Sequence, residues 1–329
     1  MNSRILIIQT AFIGDVILAT PLIEKLKRFF PQAQIDFLLR KGNENLLENH
    51  PHLNRILIWD KKKNKFSNLF KIIIEIRKRK YDCVINLQRF PSTGFITIFS
   101  GAKTKIGFNK NPLSFLFTEK VNHKIGSGIH EVNRNLNLVK KLTDESPEIP
   151  KLYPSIKDFE SVKQYQSEKY ACIAPTSVWF TKQLPQSKWL ELIERLNSKF
   201  LIYLIGGNED IKVCDEIILK SSHRNIINLA GKLSFLQTAA LMKGAEMNYV
   251  NDSAPMHIAS AMNAPLTAFF CSTIPDFGFG PLSKKSKTVE TLVKLSCRPC
   301  GLHGYKSCPE KHFKCATTIL MTDDLVNFG

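Results

Sequence analysis

No stretch of this 329-residue chain approaches the roughly 18 unbroken apolar residues that a membrane-spanning helix requires. A helical span is therefore not expected. A cleavable leader is not expected either: Arg4–Ile23 begins with a positive charge and apolar residues, but Asp15 interrupts the apolar run, Gly14 punctuates it and no small-residue cleavage site follows. The segment reads instead as strand, turn and helix, and a cytoplasmic protein is expected. Acidic side chains are the scarcer kind, 29 against 46 Lys and Arg, which leaves a net charge of +17. Such an excess calls for a partner with several negative charges: nucleic acid, an anionic lipid surface or a phosphorylated glycan. Helix-turn-helix and RNP-type signatures are absent, so nucleic acid is not expected. The glycine-rich G-x-G-x-x-G fingerprint and the paired CxxC of common zinc modules are also missing.

What is there suits a globular protein: 43% hydrophobic and 23% charged residues in a length that fills two cores of roughly 150 residues each. The first half alternates short apolar runs with helical patterns, the signature of a parallel sheet wrapped by helices. Strands are expected at Arg4–Ile8, Ile35–Leu39, Arg55–Trp59 and Cys83–Leu87, with helices over Val16–Phe30 and from Asn68 to about Arg79. The pattern then pauses. From Asp144 to Tyr153 the chain is acidic and proline-bearing, with Pro154 following, which reads as a domain boundary. The expected domains are therefore 1–153 and 154–329, since the same alternation restarts after Tyr170 and runs to a strand at Leu266–Phe270. The fold class is α/β, two Rossmann-like doubly wound domains facing a cleft. Ligands of such domains gather outside the carboxyl ends of the strands, so the loops there carry the candidates.

After the first strand, Gly14-Asp15 enters a helix. Asp15 is either a helix cap or a carboxylate able to take a proton from an attacking hydroxyl. In the second half, Thr176 and Ser177 follow a strand and Lys182 precedes a helix, a grouping that can grip phosphate. Glu209, beside Gly206-Gly207, can hydrogen-bond a ribose diol, and Leu233 follows a turn at Gly231 that either contacts a base or merely connects. Asn251-Asp252-Ser253 joins an apolar strand to a helix that carries His257; the run suits a diphosphate and sugar hydroxyls, or else a cap and a core histidine. Near the carboxyl terminus stand Cys297, Cys300, Cys308 and Cys315, interleaved with His303 and His312: a structural zinc site, or reduced thiols in a loop. Basic clusters at Lys61, Lys62, Lys63 and Lys65 and at Arg77–Lys80 assign the anionic partner to the first half, unless they are merely a solvated face.

Taken together, Gly14-Asp15-Val16-Ile17 with Thr20-Pro21-Leu22, Asn49-His50-Pro51-His52, Tyr81-Asp82-Cys83-Val84-Ile85-Asn86-Leu87-Gln88, Ser100-Gly101-Ala102-Lys103, Lys105-Ile106-Gly107-Phe108, His130-Glu131, Gly206-Gly207, Leu229-Ala230-Gly231-Lys232, Asn251-Asp252-Ser253 and Cys297-Arg298-Pro299-Cys300 resemble the ADP-heptose:lipopolysaccharide heptosyltransferases of glycosyltransferase family 9, with the heptosyltransferase II type nearest in pattern. The resemblance implies a B-type glycosyltransferase that uses ADP-heptose, inverts the anomeric carbon and needs no catalytic metal. Asp15 then matches the base, Lys182, Thr176 and Ser177 the phosphate loop, Glu209 the ribose ligand, Leu233 the neighbour of adenine, and Asp252, Ser253 and His257 the sugar and diphosphate motif. Some of Arg89, Lys103 and Arg134 are expected to meet the acceptor, the lipopolysaccharide core, at the anionic inner face of the inner membrane. Ala254 departs from the glycine usual in the family after Asp-Ser, which puts a methyl group where backbone nears phosphate. The alternatives are another nucleotide sugar or envelope glycan on the same fold and, from a different class, a non-catalytic basic binding protein.

Overall fold

The computed structural model describes residues 3–61 and 64–326, so Lys62 and Lys63 lie outside the described residues, as does the side chain of Lys65. Two compact units divide the chain, Met1–Ile125 with Ile129–Tyr153, and Gly126–Gly128 with Pro154–Gly329.

The first unit runs β1 (Arg4–Ile8), α1 (Ile13–Ile17), α2 (Thr20–Phe29), β2 (Gln34–Arg40), β3 (Leu53–Trp59), α3 (Lys65–Lys78), β4 (Cys83–Asn86), α4 (Pro91–Phe99), β5 (Thr104–Phe108), β6 (Glu119–Val121) and α5 (Glu131–Leu136). Its strands are all parallel in the order β3-β2-β1-β4-β5-β6, the doubly wound order in which the chain reverses direction between β1 and β4. Leu6, Ile7 and Ile8 are all fully buried. Successive strand side chains point to opposite faces, so both faces of this sheet are covered.

The expected pause after Leu87 does not exist. Pro91 opens α4, and β5 and β6 extend the sheet by two strands whose short, partly exposed runs carry little alternation. The single helix expected over Val16–Phe30 is two helices. Pro21 has no N–H to offer the Ile17 carbonyl, and the Thr20 hydroxyl bonds that carbonyl instead at 2.8 Å, so the helix restarts there.

The second unit runs α6 (Ile156–Val162), β7 (Tyr170–Ala174), α7 (Gln186–Arg195), β8 (Leu201–Leu204), α8 (Ile211–Lys220), β9 (Ile226–Asn228), α9 (Phe235–Gly244), β10 (Met247–Asn251), α10 (Ala254–Ala261), β11 (Leu266–Phe270), β12 (Ser286–Glu290) and α11 (Lys314–Thr317). Its parallel order β12-β11-β10-β7-β8-β9 repeats the topology of the first unit, with the reversal between β7 and β10. The core gathers Trp189 edge-on to Phe269 at 5.3 Å, and the indole N–H donates to the Pro175 carbonyl at 3.1 Å. Burial of each large side chain of this kind contributes about 1.5–3 kcal/mol. The anchored carbonyl also fixes the start of the loop after β7. Among the described residues no helix is long and apolar enough to cross a membrane.

Candidate active site

In the first unit the polar side chains converge where the chain reverses, after β1 and β4. Asp15 sits at the third position of α1, and its carboxylate accepts the Phe12 N–H at 3.2 Å, so the capping role is real. The loop that carries it is tied down on every side. Asn43 donates to the Ala11 carbonyl at 3.0 Å, Lys61 to the Thr10 carbonyl and hydroxyl at 3.0 and 2.7 Å, and Gln88 to Gln9, whose amide oxygen also accepts the Ala11 N–H.

Burial raises the carboxyl of Asp15, and the Glu131 carboxylate raises it further; the Phe12 and Asp15 N–H groups and the Arg40 guanidinium pull the other way, and the outcome is about 6. Glu131 itself is held below the ordinary range. Burial works against this, but the hydrogen bond from His123 and the charge of Arg134 prevail. A group capping its own helix thus also titrates near neutral pH, as a proton acceptor should.

The three residues expected at the acceptor separate. Arg89 follows β4 at the carboxyl edge, exposed, with its guanidinium over the Phe90 ring at 5.7 Å. Lys103 immediately precedes β5, so it lies at the amino edge of a parallel sheet, the end opposite Asp15, and its expected acceptor contact at this site is withdrawn. Arg134 is buried, bonded to Glu131 at 2.6 Å and to the Ile129 carbonyl, so its work is to hold Glu131. The basic clusters need a similar correction: Lys61 braces the Asp15 loop, and Arg77–Lys80 lies toward the amino edge, just ahead of β4. Arg40, unremarked in the sequence, ends β2 at the carboxyl edge with its guanidinium 4.8 Å over the Phe12 ring. The carboxyl-end rule applied to the second strand finds it.

In the second unit, loops after four neighbouring strands form a row. Lys182 Nζ lies 2.7 Å from Asp252 Oδ2, which also accepts the Thr273 hydroxyl at 2.6 Å. Asn251 brackets the two loops: its amide oxygen accepts the Leu184 N–H at 2.8 Å and its NH2 donates to the Ala174 and Thr176 carbonyls, both at 3.3 Å. Thr176 and Ser177 are half-buried at the head of the loop after β7. Ser253 stands at the N-cap of α10 without a side-chain capping bond. Pro255 has no N–H and Met256 donates to the Ser253 carbonyl at 3.1 Å, so what this uncapped helix end offers an anion is the Ala254 N–H and the positive end of the helix dipole. Ala254 is the first residue of helix α10 and does not have positive φ, so its methyl group brings no backbone strain. His257 is buried one turn further on.

Glu209 is exposed just after β8, while its neighbour Asp210 accepts the Gly207 N–H at 2.8 Å. Gly231 has φ +73°, and a Cβ there would stand 2.3 Å from Asn208 Oδ1. Only glycine permits both the left-handed turn and that approach, which sets half-buried Leu233 beyond β9.

The cysteine-rich segment braces this row. The Cys300 N–H donates to the Ser272 carbonyl at 2.7 Å, and Tyr305 and Thr181 exchange bonds of 2.8 and 3.1 Å. Cys297 Sγ lies 3.8 Å from His312 Nε2, and among the described residues no three His, Cys, Asp or Glu side chains gather as a metal-binding group. Arg298 is the clamp: it donates to the carbonyls of Cys271, Phe270 and Thr273 at 2.7, 3.2 and 2.7 Å and pairs with Glu290. Arg298→Ala leaves these acceptors unmet, and we expect it to cost about 3 kcal/mol. In a thermal melt that corresponds to a fall of roughly 10 °C for a unit of this size; an unchanged melt would show that the clamp bears no weight.

Two parallel α/β units, each with polar groups massed where its strand order reverses, define a protein of the doubly wound α/β class. The model of glycosyltransferase family 9 (heptosyltransferase) matches residues 69–311, and the chain belongs to that family. It is 29% identical over 283 residues to lipopolysaccharide heptosyltransferase 3 of Escherichia coli, spanning 80% of this chain and 82% of that one. It is 25% identical over 313 residues to lipopolysaccharide heptosyltransferase 1 of Campylobacter coli, spanning 89% and 91%. The solved structure of E. coli ADP-heptose LPS heptosyltransferase II shares the fold, with TM-score 0.78 at 22% identity over 94% of this chain and 96% of that one. Types 1, 2 and 3 all stand among the relatives.

Proposed function

We propose that this heptosyltransferase moves heptose from ADP-heptose onto the phosphorylated inner core of lipopolysaccharide, with inversion, at the cytoplasmic face of the inner membrane. The observation that carries the reading is the order of groups along the second unit's carboxyl edge. Crossing from β10 through β7 and β8 to β9, the residues are Asp252 and Ser253, then Thr176, Ser177 and Lys182, then Glu209, then Leu233. Strands lie about 4.8 Å apart, so the row is about 14 Å long, the reach of an extended sugar–diphosphate–nucleoside. In that order Asp252 takes sugar hydroxyls beside His257, the N-terminus of α10 with Ser253 and the Lys182 loop take the diphosphate, Glu209 takes the ribose diol, and Leu233 lies along adenine.

Asp15 accepts the proton of the acceptor hydroxyl as its oxygen bonds to the anomeric carbon; the bond from that carbon to the diphosphate oxygen breaks, and ADP leaves with the electron pair. Lys182 and the N-terminus of α10 stabilise the charge that develops on the leaving group. Arg89 supplies a cation to the acceptor phosphate.

The direct test incubates the purified protein with a heptose-deficient core acceptor and a panel of nucleotide sugars. ADP release is expected fastest with ADP-heptose, unchanged by a chelator, and the product should have the inverted anomeric configuration. A faster reaction with another nucleotide sugar would overturn the donor assignment, and retained configuration would remove Asp15 from its role.

A further inference from the structure

Helix α3 has two apolar stripes, whereas packing needs only one. Ile72 and Ile76 are buried, with Leu69 and Ile73 packed against the same core, and they fasten the helix to its unit. Phe66, Phe70 and Ile74, four residues apart and therefore on one face, point outward; Phe66 is 81% exposed and Phe70 66%. Helix α4 adds Phe95 and Phe99, whose rings stack at 6.1 Å and are 42% and 48% exposed. The two helices are joined at this surface, since Arg77 Nη1 reaches the Phe99 carbonyl at 3.5 Å. Exposed Lys71, Arg77 and Lys78 stand beside the outward stripe, and the one acidic residue of α3, Glu75, is paired with Arg79 at 2.9 Å.

Contiguous exposed aromatics on a soluble unit mark a place that something covers. We infer that this α3–α4 face docks on an anionic bilayer surface, its phenylalanines entering the acyl boundary while Lys71, Arg77 and Lys78 meet the lipid phosphates. Charge complementarity selects this occupant. A second copy would set the same cations against one another, whereas anionic head groups complement them and acyl chains take the rings. The docking itself stands on this surface alone; its use, bringing the enzyme to a lipid-borne acceptor, rests on the function proposed above.

Sedimentation of the full chain with vesicles tests the inference. Binding is expected to phosphatidylcholine vesicles containing phosphatidylglycerol and not to phosphatidylcholine alone, and it should weaken when salt rises from about 0.1 to about 0.5 M. The pair Phe66→Ser and Phe70→Ser should lower partitioning at least about tenfold. The pair Lys71→Glu and Lys78→Glu should lower it about a hundredfold. Both pairs should keep their melting temperature and their rate on a lipid-free acceptor, because exposed side chains are all that change. No binding of the unaltered protein to phosphatidylglycerol vesicles, or undiminished binding of the phenylalanine pair, would overturn the inference. So would a concentration-dependent dimer that the phenylalanine pair abolishes, since the face would then be covered by a second copy.

Discussion

Asp15→Asn is expected to lower kcat about 10³-fold while leaving the fold intact. Asparagine keeps an oxygen that can accept the Phe12 N–H, so the cap of α1 survives, but it cannot take a proton from the acceptor hydroxyl. Because the carboxyl is pushed up to about 6, the unaltered enzyme should lose rate tenfold per pH unit below that value, as the base becomes protonated. The variant's residual rate should lack this acid limb. Stability supplies an independent sign. A carboxyl whose folded value lies above its unfolded one of 3.8 favours the folded state only at low pH, and the benefit is lost as pH rises from about 3.8 through about 6. At pH 7 the variant, with nothing to ionise, should therefore melt at or above the temperature of the unaltered protein. Full activity in Asp15→Asn, or an acid limb retained in it, would remove Asp15 as the base.

Sequence periodicity showed the first unit as far as β4 and nearly all of the second, because the central strands are buried on both faces and read as continuous apolar runs such as Ile5–Ile8 and Leu266–Phe270, and the partly exposed edge strands β3 and β9 still carry apolar residues in sequence. It failed at two other edge strands. β6 has no fully buried residue, and β12 is half-exposed, so neither has a pattern to read. Asp15, Lys182 and Asp252 were legible because each follows the carboxyl end of a strand, and parallel topology then sets them at one edge. The same rule, applied in reverse, excludes Lys103, which precedes its strand; charge alone gave no means of telling the two edges apart. Arg134 shows a different limit: its three-residue spacing from Glu131 puts both on one face of α5, but a helix as short as Glu131–Leu136 leaves no periodic pattern from which to expect it. Arg298 was read only as one letter of a cysteine-rich motif. Its role as a clamp on the carboxyl end of β11 depends on contacts with residues 25 to 28 positions earlier.

Lys182→Ala is the second large effect, and its interpretation turns on Asp252. Loss of the ammonium should reduce kcat by about 10²–10³, the usual loss when one preorganised group facing a developing anion is removed. ADP should also bind more weakly. However, the alanine variant strands a buried carboxylate that keeps the Thr273 hydroxyl as a donor but loses its counter-charge, and breaking a buried pair from one side costs about 3–5 kcal/mol. Lost activity could then reflect a disordered loop instead of a missing charge. The double variant Lys182→Ala with Asp252→Asn separates the two, since it removes both charges and keeps a polar group for Thr273. We expect it to recover most of the melting temperature while kcat and ADP affinity stay low. If the double variant instead recovers the rate, Lys182 serves only to neutralise Asp252, and the diphosphate must draw its stabilisation from the N-terminus of α10.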